Sequence, residues 1–175
     1  RAEFGLNSDD KAILFLGTPR RHKGIVRVVQ ALERLNDPHL CLVVVGTIND
    51  PTLKEELATY RHARIKLFDD QPWDKLADIV SLADAVCLLQ DPKSDVSAYQ
   101  IPAKLTDALA LGIPVIATGV QPLDDIATAD AIHTTYSDRQ LDELLRAVAT
   151  GDIAPGGMAS RERKFFTQEL SYGVN

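Results

Sequence analysis

The run Gly17-Thr18-Pro19-Arg20-Arg21-His22-Lys23-Gly24 places the cations Arg20, Arg21 and Lys23 in one short loop of a chain whose formal net charge is −6. Arginine presents a planar fork to phosphate oxygens and lysine a point charge. Each charge-assisted contact of this kind contributes roughly 1.5–3 kcal/mol. The plain alternative is a solvated run of charge. A second constellation lies in Asp91 to Thr118, DPKSDVSAYQIPAKLTDALALGIPVIAT, which reads as a strand exit, a long polar loop, a helix and a buried strand. Pro102 suits the first turn of that helix, whose unpaired amides, at Ile101 to Lys104, and positive dipole end favour an anion. Asp107, about one turn further in, is acceptor-only and suits the vicinal hydroxyls of a sugar. Lys104 stands where its ammonium could reach a phosphate, although a cation there opposes the helix dipole. A solvated helix lysine is the plain alternative.

These residues need a scaffold, and the chain supplies one. Short apolar runs at Ala12 to Leu16, Leu40 to Val45, Ile65 to Phe68, Ala85 to Leu89, Pro114 to Ala117 and Ala131 to Thr134 alternate with helix-period segments. Those helical segments lie near Ile25 to Leu35, Pro51 to Tyr60, Trp73 to Leu82 and Pro102 to Leu111. This pattern predicts an α/β fold: a Rossmann-like, doubly wound, mainly parallel six-stranded sheet with helices on both faces. Ser137 can cap a helix through Ala149, Asp152 to Gly157 reads as a turn, and Ser160 opens a charged final helix. In such sheets ligands bind beyond the carboxyl ends of the strands at the topological switch point. The loops after the first and fourth strands carry the two constellations above.

The sequence, 175 residues and 45% hydrophobic, has room for one domain with a sizeable core. Its pI near 5.1 argues against nucleic acid or an anionic membrane as main partner. A phosphate site must therefore be local. No apolar run approaches the roughly 18 residues that a membrane span needs. The opening Arg1-Ala2-Glu3-Phe4 has neither Met nor a signal-peptide pattern. These features predict an excised, cytoplasmic fragment, at most peripheral at the inner face of the membrane. Cys41 and Cys87 sit in strand-like runs and read as reduced core thiols. His22, His39, His62 and His133 show no metal-ligand spacing.

Gly17 through Lys23-Gly24, then Gly46 after the second strand, then Asp107-Ala108-Leu109-Ala110-Leu111-Gly112-Ile113-Pro114-Val115-Ile116-Ala117-Thr118 together resemble the group 1 glycosyltransferases. The resemblance implies that residues 1–175 are the C-terminal, nucleotide-sugar-binding domain of a larger enzyme with two Rossmann-like domains, the N-terminal acceptor domain being absent. In the family's first loop a glycine and an arginine precede Lys-Gly, and the arginine and lysine hold the diphosphate. Lys23 matches in place. Thr18 stands where the arginine is expected, so that role passes to Arg20, or failing that to Arg21. The family also has paired glutamates separated by seven residues, the later one reaching the ribose. Asp107 occupies the later position and Tyr99 the earlier, with Asp95 in the same loop as a substitute acid.

Carried over in this way, Arg20 and Lys23 are the catalytic candidates. Gly17, Thr18, Gly46, Tyr99, Ile101, Ala103, Lys104 and Asp107 are the candidates for binding the donor. The implied activity is transfer of a hexose from a UDP- or GDP-linked donor to an acceptor hydroxyl with retention, without a metal, in glycan or polysaccharide biosynthesis. The isolated chain is expected to bind donor weakly and turn nothing over.

Two other readings stand beside this one: a flavodoxin-like or receiver-like binding module, and a degenerate glycosyltransferase fold kept for protein contact. A receiver needs clustered acids after the first strand to hold Mg²⁺, and Gly17 to Gly24 contains none. The dinucleotide and P-loop fingerprints are missing after Leu16. Trp73, following Pro72 at a helix start, is expected to be a packing residue rather than a base-stacking one. Of the adjacent Phe165 and Phe166, one is expected to pack inward and the other to await a neighbouring domain.

Overall fold

The computed structural model describes residues 1–93, 101–120, 123–156 and 160–171. Its strands are β1 (Lys11–Leu16), β2 (Leu40–Val45), β3 (Arg64–Phe68), β4 (Ala85–Leu88), β5 (Val115–Thr118) and β6 (His133–Thr135). They form a single six-stranded sheet in the order β3-β2-β1-β4-β5-β6, and every neighbouring pair is parallel. Chain order therefore reverses between β1 and β4. The crevice that Rossmann-type sheets use for ligands opens beyond the carboxyl ends of those two strands.

The helices are α1 (Ile25–Leu35), α2 (Pro51–Leu57), α3 (Leu76–Ser81), α4 (Ala103–Ala110), α5 (Asp124–Thr128), α6 (Asp138–Thr150) and α7 (Arg161–Phe165). Side chains alternate across each strand, so the sheet feeds two cores. Ile13, Phe15, Leu42, Val44 and Cys87 pack with Val28 and Leu32 of α1, Leu53 of α2 and Leu141 and Leu145 of α6. On the other face Leu14, Val43, Val86 and Val115 pack with Ile79 of α3 and Leu105 and Leu109 of α4. β2 is buried along its whole length, as a central strand covered on both faces must be. Cys41 and Cys87 are free and buried.

Local chemistry sets the helix ends. The Asp50 carboxylate accepts the Thr52 and Leu53 amides at the start of α2, with Pro51 at the first helical position. Ser137 accepts the Gln140 amide at α6, and Ser160 accepts that of Arg163 at α7. Pro102 stands one position earlier than expected, as the cap residue of α4, and offers no N–H; Leu105 donates back to its carbonyl at 2.9 Å. The amides left at that helix start are those of Ala103 and Lys104.

Three expectations need correction. α5 does not figure among the expected helices, because five residues show no apolar period. The segment from Trp73 begins as a 3₁₀ turn, Trp73–Lys75, before α3. Phe165 and Phe166 both pack against the α3/α4 core, because α7 passes directly into a π turn, Phe166–Leu170, that keeps the tail on that face. The tail is fastened there by the Arg163 guanidinium. It donates to the Ala110 carbonyl at the end of α4 and stands 5.6 Å from the centre of the Phe166 ring.

Candidate functional site

The loop leaving β1 turns at Gly17, whose φ is +95° and whose N–H is held by the Val45 carbonyl at 2.8 Å. A Cβ at Gly17 would lie 2.7 Å from Lys104 Cε, so the bare Cα is what lets the lysine side chain cross it. Gly46 supports the same loop from behind: a Cβ there would meet the Gly17 carbonyl oxygen at 2.4 Å. Its part is to seat the loop, and it lines a different cavity, with Thr47, Leu67 and Asp69.

The cations of this loop separate cleanly. Arg21 is tied to α2 by an ion pair with Glu56 and a 3.4 Å contact to Thr52 Oγ1. Arg20 is exposed, in extended backbone, and makes no ion pair among the described residues. Lys23 is half-buried and donates from Nζ to the Thr18 carbonyl at 3.2 Å. Burial pushes its ammonium below the usual pKa, and the charges of Lys104 and Arg20 push it further the same way. Three like charges thus crowd one place, a condition that a bound anion would relieve.

Asp107 lies on α4 with its carboxylate half-buried and without a hydrogen-bond partner among the described residues. Burial raises its pKa, partly offset by Lys104. It shares a cavity of about 210 Å³ with Gly17, Ala103, Lys104, Trp73, Asp70 and Gln71. A second cavity, of about 240 Å³, is lined by Lys23, Gln90, Pro102, Ala103 and Lys104. Leu16, Ala103 and Lys104 belong to both, so Lys23 and Asp107 stand on adjoining parts of one crevice at the switch point. Thr18, Arg20 and Ile101 line neither cavity; Ile101 is exposed at the entrance to α4. Tyr99 and Asp95 lie outside the described residues. No cluster of His, Cys, Asp and Glu suited to a metal occurs among the described residues.

Two features escape the sequence reading. Trp73 is 84% exposed and lines the Asp107 cavity, which corrects its expected packing role. The 3₁₀ turn after Pro72 holds the indole outward, off the sheet. Gln90, just past β4, has a buried Oε1 with no hydrogen-bond partner among the described residues and lines the Lys23 cavity. A polar residue ending an apolar strand at the switch point is a signal that could have singled it out.

The fold and crevice define a Rossmann-like α/β domain with a cation-rich cleft at its switch point. Residues 1–157 match the model of the family described as glycosyl transferases group 1, and the chain belongs to that family. It is 30% identical over 113 residues to WcaI of Escherichia coli, assigned as a colanic acid biosynthesis glycosyl transferase; the match covers 64% of this chain and 27% of that protein. Among solved structures it is similar to Anabaena HepE in complex with UDP-glucose, with a TM-score of 0.77, 14% identity, and coverage of 98% of this chain and 47% of that one. It is also similar to the C-terminal domain of LpcC, a glycosyl transferase group 1 family protein from Francisella tularensis. There the TM-score is 0.75 and the identity 18%, over 98% of this chain and 91% of that one. The chain spans less than a third of the curated relatives it matches, 27% and 29% of their lengths. No helix among the described residues is long and apolar enough to cross a membrane.

Proposed function

We propose that this chain is the donor-binding, C-terminal domain of a two-domain glycosyltransferase that moves a hexose from a nucleoside diphosphate to an acceptor hydroxyl with retention, in glycan or polysaccharide synthesis. One observation carries the reading: Lys104 lines both cavities, with Lys23 on one side of it and Asp107 on the other. A pyrophosphate-ribose unit has the same order of charges, anionic at one end and rich in hydroxyl donors at the other. Lys23, Lys104, Arg20 and the Ala103 and Lys104 amides would take the diphosphate, and Asp107 the ribose.

In the reaction the bond from the anomeric carbon to the diphosphate oxygen breaks, and its electron pair leaves with the phosphate. The acceptor oxygen forms the new bond and gives up its proton. Negative charge grows on the leaving diphosphate, so cations fixed beside it lower the barrier electrostatically. Their charge serves in place of a metal ion. The acceptor and any general base belong to an N-terminal domain, so this chain alone binds donor weakly and turns nothing over. The protein works in the cytoplasm, at most peripherally at the inner face of the membrane, without nucleic acid as a partner.

Calorimetric titration of Asp107→Asn tests the reading. Nucleoside diphosphates should weaken by roughly tenfold, the scale of one hydrogen bond to a charged group, while inorganic pyrophosphate is little changed. Equal losses for both ligands would remove Asp107 from the ribose.

A further inference from the structure

The loops after β1 and β4 meet on the α1 side of the crevice. The Asp91 amide donates to the His22 carbonyl at 2.9 Å, and a Cβ at Gly24 would lie 2.0 Å from the Leu89 carbonyl oxygen, so the two loops are held as one wall. Beside this wall, against α1 and the first residue of α6, runs a groove of about 630 Å³. That is the size of a small-ligand site.

The strong charges along the groove are already matched. Arg21 pairs with Glu56, and Arg27 Nε stands 2.8 Å from Asp138 Oδ1, so no Arg or Lys of the lining lacks a carboxylate. An anion gains little here, in contrast to the adjoining chamber with Lys23 and Lys104. A neutral ligand whose hydroxyls both donate and accept fits the lining better: Gln30 and Asp91 supply polar partners, while Val26 and Leu89 offer apolar surface to the C–H face of a sugar ring.

Gln90 joins this groove to the Lys23 chamber, because it lines both. Its Oε1 is buried with no hydrogen-bond partner among the described residues, and an acceptor so placed is costly until a donor reaches it. The Lys23 ammonium turns to the Thr18 carbonyl instead. Transfer requires the attacking oxygen to come close to the anomeric carbon, which hangs from the diphosphate, so the acceptor must approach the phosphate chamber. Leu16, Ala103 and Lys104 connect that chamber to the Asp107 cavity, which the ribose takes; Gln90 connects it to the groove and lines no part of the Asp107 cavity. The groove thus meets the diphosphate from a margin that the ribose does not share.

We propose that this groove binds a neutral, hydroxyl-rich sugar unit of the acceptor glycan, with Gln90 Oε1 accepting one of its hydroxyls where groove and phosphate chamber meet. The inference rests on the diphosphate and ribose reading above. It adds a contact on this domain to an acceptor whose other contacts, with any general base, belong to the N-terminal domain.

The chain is saturated with whichever of UDP, GDP and ADP binds it in calorimetry. Cellobiose, lactose, mannobiose and chitobiose are then added in separate titrations while backbone amide shifts are followed by NMR. At least one disaccharide should move the amides of His22, Gln30 and Asp91 and leave that of Asp107 in place. Gln90→Leu should lose roughly tenfold in affinity for that disaccharide, the scale of one hydrogen bond, and Gln30→Ala should weaken it too, with nucleotide affinity unchanged in both. Nucleotide binding without any disaccharide moving these amides would overturn the groove proposal while sparing the diphosphate and ribose reading. If the same amides respond to exchanging UDP for UDP-glucose, or GDP for GDP-mannose, and to no disaccharide, the groove belongs to the hexose of the donor and the proposal fails. Absence of nucleotide binding would overturn both readings. Should Gln90→Leu fail to fold, the wild-type shifts and Gln30→Ala still decide.

Discussion

Lys104 crosses the bare Cα of Gly17, with its Cε 2.7 Å from where a Cβ would be. Two distant segments of the chain thereby interlock at the switch point, a loop after β1 and the first turn of α4. Gly17→Ala must displace the lysine and also hold alanine at φ +95°, a conformation costing of order 1–3 kcal/mol. Such a variant should fold with reduced stability and bind nucleoside diphosphates roughly tenfold less tightly, the scale of one charge-assisted contact. Lys104→Met should reproduce the affinity loss without the stability loss. Denaturant melts and calorimetry separate the two effects, and a Gly17→Ala protein of undiminished affinity would contradict the interlock.

Arg20 and Arg21 are neighbours with different duties. Arg21 is held by Glu56 and Thr52 of α2, whereas Arg20 makes no ion pair among the described residues. Arg20→Ala combined with Lys23→Ala should weaken pyrophosphate and nucleoside diphosphates alike, by roughly a hundredfold for two charge-assisted contacts. Arg21→Ala should leave both affinities within about twofold, as expected of a surface ion pair worth little by itself. Isothermal titration at fixed salt is the measurement, since screening alters every such contact. The reverse ranking would reassign the diphosphate to Arg21.

Asp107 has no hydrogen-bond partner among the described residues, and burial holds its carboxyl above the ordinary 3.8. Above that pH the unfolded chain has already released the proton that the folded chain still keeps. This group's contribution to stability therefore falls as pH rises through the folded-state pKa. Asp107→Asn should accordingly raise the urea midpoint of the ligand-free domain at pH 7 while weakening nucleotide binding. A lower midpoint would mean that the carboxylate is already satisfied in the folded chain.

At the opposite end of the sheet the sign is reversed. Asp10 is buried and paired with Arg64 at 2.5 Å, which holds its pKa down to about 2 from 3.8. The stability from this pair is complete above about pH 4 and is lost as pH falls toward 2. Arg64→Met should remove that part of the acid sensitivity, seen as a flatter melting-temperature profile between pH 5 and 2. An unchanged profile would place the acid lability in other carboxylates.

Much of this architecture is legible before any coordinates, because parallel strands covered on both faces must be continuous apolar runs, as Leu40 to Val45 is. Gly46 and Lys23 are legible as motif positions. What the sequence could not supply is partnership. Choosing Arg20 over Arg21 requires knowing that Glu56, on another helix, comes within reach. Trp73 departs from its expected packing role because tryptophan is buried only on average, and nothing in Pro72-Trp73-Asp74 shows which way a 3₁₀ turn points the ring. α5 is too short for periodicity to register. Tyr99 lies outside the described residues.

Both ends of α4 are spoken for. Ala103 and Lys104 at its start line the crevice, and the Ala110 carbonyl at its end accepts from Arg163 of the tail. A cation at the far end reinforces the very dipole that an anion at the near end exploits. A ligand that tightened the first turn of this short helix would then also resist peeling of its last, because any coupling between the two ends is reciprocal.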